Sequence, residues 1–128
     1  MHALQKILIV SEDLSYISNL YNILTYNLTV EVKFSNCSYY GVKEEANKYD
    51  ALILDYSFAV SKYKNQHFYK ILKSQNSELK LFFVKEFFNN NSFKNPLIDG
   101  KIPLFGKGNK STTALINEVN YRLNKNLI

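Results

Sequence analysis

Hydrophobic and polar positions follow two different periods along this chain, and the switches between them lay out its elements. Ile7-Leu8-Ile9-Val10 is a continuous apolar run rich in β-branched residues, which predicts a strand covered on both faces. Asp13 stands where a helix N-cap belongs, and Leu14, Ile17, Tyr21 and Leu24 follow at three-four-three spacing, predicting a helix. Thr29 to Phe34 alternates at period two, the pattern of a half-exposed edge strand. Tyr39, Val42, Ala46 and Tyr49 repeat the helical spacing, and Ala51-Leu52-Ile53-Leu54 predicts a second doubly buried strand ending at Asp55. Val60, Tyr63, His67 and Ile71 suggest a third helix, and Leu79 to Val84 a fourth strand. The Asn-rich stretch from Phe87 to Ile98 is a poor helix former, so a short or irregular helix is expected there, ending before Pro96. Asp99-Gly100 reads as a turn. Ile102 to Phe105 reads as a fifth strand that Pro103 steers to a sheet edge, and Thr112 to Leu123 as a closing helix with Leu115, Val119 and Leu123 inward.

Strands alternating with helices predict an α/β fold: a doubly wound parallel sheet of five strands with five helices. No repeat, Pro/Gly/Ser-rich linker or charge block divides the chain, so residues 1–128 are expected to form one domain. In such sheets ligands sit at the carboxyl ends of the strands. That rule singles out Ser11-Glu12-Asp13, Asp55-Tyr56-Ser57, Lys85-Glu86 and Gly106-Lys107-Gly108.

Composition adjusts this picture only slightly. Apolar residues make up 46% of the 128 positions and charged residues 21%, enough for one buried core. No apolar run approaches the ~18 residues of a membrane span, and the start is not that of a signal peptide. Cys37 is alone, which excludes an internal disulfide and a cysteine-built zinc site, so a cytoplasmic setting is expected. His2 and His67 have no partner acid or cysteine at useful spacing. The net charge of +5 invites a polyanion partner, and Lys62, Lys64, Lys70 and Lys73 would be its surface. Yet Arg122 is the sole arginine and the lysines are scattered, so nucleic acid is not the expected partner.

The strand-end acids carry more. If the first and third strands are neighbours, Glu12, Asp13 and Asp55 converge, and like charges at short range need a cation between them. A hard divalent ion such as Mg²⁺ suits oxygen ligands, and Lys107 is placed to meet a phosphate oxygen. An exposed carboxylate beside a metal and a lysine is suited to accept a phosphoryl group.

This arrangement resembles the receiver domain of two-component response regulators, the family that includes the single-domain chemotaxis response regulator. The resemblance covers essentially the whole chain. It runs through Ile7 to Val10, Glu12-Asp13, Asp55 and Lys107, with 30 residues from Asp55 to Lys85 and 22 from Lys85 to Lys107. It implies a flavodoxin-like strand order, 2-1-3-4-5. It also implies Asp55 as phosphoacceptor, Asp13 as a direct Mg²⁺ ligand and Glu12 as a ligand through water. The Ser57 backbone carbonyl would be the third protein ligand, and Lys107 would pair with the phosphoryl group. The implied partner is a sensor histidine kinase or phosphotransfer protein. The output would be a shift on the face of the fourth helix, fifth strand and closing helix, which also serves homodimers. The domain would be a signalling switch rather than an enzyme.

The chain departs from that family at several points. Lys85 stands where receivers carry Thr or Ser, Gly108 replaces the proline after the lysine, and Tyr56-Ser57-Phe58-Ala59 lacks the usual Met-Pro and Gly. The three acids with Lys107 sum to about −2, and Lys85 brings this to about −1, weakening attraction for Mg²⁺. An atypical receiver is therefore expected. The alternative is a phosphorylation-independent module for dimerisation or protein docking, such as the N-terminal part of a DNA-binding regulator.

Overall fold

The computed structural model describes residues 4–35, 46–55, 74, 77–85, 97–98 and 102–124. Its strands are β1 (Gln5–Val10), β2 (Val30–Ser35), β3 (Ala51–Asp55), β4 (Lys80–Lys85), β5 (Leu97–Ile98) and β6 (Ile102–Gly106). Two helices, α1 (Leu14–Asn27) and α2 (Asn109–Asn124), and a 3-10 turn (Ala46–Lys48) accompany them, and Ser74 is also helical. The sheet order is β2-β1-β3-β4-β6-β5, with the five longer strands parallel. That is the flavodoxin-like order implied by the resemblance, extended by the two-residue β5, which pairs antiparallel to β6. Because Leu97 is in register with Pro103, β6 is the outermost long strand without forming the rim itself. Three of the five predicted helices, over the stripes 39–49 and 60–71 and the stretch 87–98, fall largely outside the described residues, as does the turn at Asp99-Gly100.

Parity along the strands sets the layers. Ile7, Ile9, Ala51, Ile53, Phe82, Val84 and Phe105 face one way, onto Ile17, Leu20 and Leu24 of α1 and Leu115, Val119 and Leu123 of α2. The alternate positions Leu8, Val10, Leu52, Leu54, Leu81 and Phe83 are equally buried, so both faces of the central strands are covered. This is what the uninterrupted apolar runs require. At the edge β2 buries only Val32, and Phe34 is 58% exposed.

In α1 the buried stripe is Tyr16, Ile17, Leu20 and Leu24. Leu14 and Tyr21, both expected inward, are 67% and 39% exposed. Asp13 fixes the helix start by accepting the Tyr16 amide at 3.1 Å, and Leu14 then falls in the first turn on the solvent side. Leu20, three residues on from Ile17, takes the place expected of Tyr21. At the other end of the sheet Gln5 Nε2 donates to the Leu123 carbonyl at 2.9 Å, tying the end of α2 to β1. No described helix is long and apolar enough to cross a membrane.

The corrected stripe makes a stability prediction. Leu20→Ala should destabilise the protein by about 3 kcal/mol through a core cavity, whereas Leu14→Ala should change it by less than about 0.5 kcal/mol. Equilibrium urea unfolding of the two variants measures the difference; equal costs would contradict the stripe.

Candidate functional site

Asp55 ends a central strand and is only 7% exposed, so its carboxylate must be satisfied by neighbours. Two elements supply them. β6 delivers Lys107, whose ammonium donates to Asp55 Oδ2 at 2.7 Å. β1 delivers Ser11, whose hydroxyl donates to the same oxygen at 3.0 Å.

The Ser11 contact follows from register. The parallel ladder matches Ile7 with Ala51 and Ile9 with Ile53, a constant separation of 44 residues, and one further step sets Ser11 opposite Asp55. Ser11 is itself buried, and its amide extends the β1–β2 ladder by donating to the Ser35 carbonyl at 3.1 Å. Its hydroxyl also accepts the Asp13 amide at 3.0 Å, so the group is engaged both as donor and as acceptor.

Lys107 ties three elements together. Beyond Asp55 it lies 3.5 Å from Asp13 Oδ2 and 4.8 Å from the centre of the Tyr16 ring, a cation–π geometry. The Lys107 side chain is 12% exposed, that of Asp55 9% and that of Asp13 42%, so the Asp55 pair is the desolvated one. The backbone at Lys107 is steadied by buried Thr112, whose hydroxyl donates to the Lys107 carbonyl at 3.4 Å and whose amide donates to the Gly108 carbonyl at 2.8 Å. A Cβ on Gly108 would meet nothing within 4 Å, so packing does not demand glycine there.

Of the residues singled out from the sequence, Asp13, Asp55 and Lys107 come together. Glu12 lies in the bend beyond β1 and is exposed. Lys85 is also exposed: Asp55 is in register with Val84, leaving Lys85 one residue further along β4. Ser57 lies outside the described residues. Ser11 is the functional neighbour that a search for acids passes over, although alternation from Ile7 and Ile9 marks it as facing the same way.

These donors, as they stand, do not fit Mg²⁺. The strand-end side chain that reaches Asp55 from β1 is a neutral hydroxyl, and one oxygen of Asp13 is spent on the α1 cap. The Lys107 ammonium already bridges the two carboxylates. Among the described residues no group of three or more His, Cys, Asp or Glu side chains is arranged to hold a metal ion.

Tyr16 is the remaining anomaly. Its hydroxyl is buried and makes no hydrogen bond among the described residues. Burial first, then the charges of Asp55 and Asp13, push its pKa well above the ordinary tyrosine range. A raised folded-state pKa in an acid means the folded protein keeps a proton that the unfolded chain gives up above pH ~10, so stability falls as pH rises past that value. Tyr16→Phe should therefore hold or raise stability at pH 7 and flatten the alkaline loss, measured by unfolding midpoints between pH 8 and 11. Lys107→Met should cost about 3–5 kcal/mol, since it leaves a buried carboxylate without its cation. Adding Asp55→Asn should recover part of that cost in a double-mutant cycle.

No protein-family model matches the chain, and no curated protein matches it. Solved structures do. A protein described as pilus assembly-related, from Burkholderia pseudomallei K96243, aligns over 95% of this chain and 92% of its own at a TM-score of 0.66 and 13% identity. A pilus assembly protein described as CpaE, from Burkholderia thailandensis E264, aligns over 94% of this chain and 98% of its own at a TM-score of 0.64 and 14% identity. At such identities the likeness shows the fold alone, the α/β fold with the parallel strand order described above.

Proposed function

We propose that this chain is a receiver-like interaction module that docks a partner protein or a second copy of itself without phosphoryl transfer. The observation that carries this reading is the buried Asp55 carboxylate, whose Oδ2 is already engaged by Lys107 at 2.7 Å and by Ser11 at 3.0 Å. An oxygen so occupied is a poor nucleophile, and the ion pair holds the ends of β3 and β6 in one arrangement. The likeness to one protein described as pilus assembly-related and another described as a pilus assembly protein supports a role in positioning a component of such an assembly; a cytoplasmic setting is part of the proposal. The docking face is the one that includes β6 and α2. The module works by binding and not by turnover.

A second reading is favoured by one specific feature: Asp55 lies at the carboxyl end of a central strand with a lysine in contact, the arrangement a phosphoacceptor uses. A phosphoryl group would leave the imidazole nitrogen of a kinase or phosphotransfer protein's phosphohistidine and bond to an Asp55 oxygen, with Lys107 moving to a phosphoryl oxygen.

One experiment separates the readings. The wild type and Asp55→Ala are incubated with a small phosphodonor, or with beryllofluoride, at saturating Mg²⁺, and followed by intact mass and by amide NMR shifts. The expected result is no Asp55-dependent adduct and no Asp55-dependent shifts. An adduct or shifts seen only in the wild type would overturn the phosphate-independent reading in favour of the second.

A further inference from the structure

We infer that Lys107 is the resident cation of this pocket and that Ser11 is the residue that keeps a divalent metal out. The inference deepens the phosphate-independent reading and rests on it, yet its test reads cation binding alone.

The argument is one of charge and register. Asp13 and Asp55 would repel each other across the strand ends, and Lys107 stands between them at 3.5 and 2.7 Å. A lysine is a compact point charge on a long stem, able to sit where a small ion would sit between two carboxylates. Its covalent tether means that the pocket needs no ion from solution. Among the described residues the formal balance of Asp13, Asp55 and Lys107 is about −1, too little to recruit a dication that binds through carboxylates and surrenders its water reluctantly.

Ser11 fixes that balance. It is the side chain that the register places opposite Asp55, and a hydroxyl there can donate to the carboxylate without adding charge. A carboxylate at the same position would add a third negative group beside Asp55 and Asp13, beyond what one ammonium can neutralise. The side chain at position 11 therefore decides between a lysine-locked and a metal-loaded pocket. The lock has a mechanical consequence as well, because the same ammonium joins the start of α1, the end of β3 and the turn into α2. The three elements stay in one arrangement whatever the cation concentration.

Thermal unfolding with 10 mM MgCl₂, against NaCl of matched ionic strength, tests this on the full chain. The wild type and Ser11→Ala should show no Mg²⁺-specific change in midpoint. Ser11→Asp should be destabilised without Mg²⁺ and regain roughly 3–6 °C with it, saturably, and lose that response when Asp55→Ala is added. A saturable, Asp55-dependent Mg²⁺ shift in the wild type would overturn the inference, as would a folded Ser11→Asp that ignores Mg²⁺. Should Ser11→Asp fail to fold in either salt, Ser11→Glu is measured in its place by the same criteria, and a folded Ser11→Glu that ignores Mg²⁺ overturns the inference. Adduct formation on Asp55 with a phosphodonor, by contrast, bears on the phosphate-independent reading and leaves the cation result standing.

Discussion

A carboxylate buried at the end of a central strand is the constraint around which this end of the molecule is arranged. Asp55 cannot be left charged and unpaired at that depth, and its neighbours are each accounted for by meeting that need. Lys107 supplies the charge, Ser11 a neutral hydrogen bond, and Thr112 steadies the turn that delivers the lysine. Asp13 is drawn in because the ammonium that answers Asp55 lies at the start of α1. Such a pair gives less net stability than its geometry suggests, since both ions were better solvated in the unfolded chain. It does make other arrangements of the three elements costly, and so it serves to define one state.

The strands were legible in the sequence because burial on two faces leaves no polar position to hide in. Ile7 to Val10, Ala51 to Leu54 and Leu79 to Val84 each coincide with a strand to within two residues at either end. The α1 stripe was legible at Ile17 and Leu24 but not at Leu14 and Tyr21. Tyrosine is amphipathic enough for either face, and the cap geometry at Asp13 turns Tyr16 inward, hydroxyl included, and leaves Tyr21 part-exposed. β5 left no signal, since two residues are too few to establish a period. At the site, Asp55 and Lys107 stood out as charges after apolar runs. Ser11 did not, because a search for acids counts Glu12-Asp13 as a pair and ignores which face each residue takes. Counting alternation outward from Ile9 would have found it.

The fold and the chemistry of its strand ends are separable here for a physical reason. The sheet is specified by the two-faced apolar pattern of β1, β3 and β4, and that pattern tolerates exchange among hydrophobic residues, which is why solved structures at 13 and 14% identity share it. The strand ends are specified by single side chains, where one hydroxyl in place of one carboxylate alters the charge by a full unit in a desolvated pocket. A fold-level likeness therefore says where a site would be and little about what it does. The decisive quantity is the net charge facing Asp55. Residues 11, 13 and 107 are central to it, whereas the overall charge of +5 includes exposed lysines such as Lys33, in the outer strand β2, whose charge is screened by solvent.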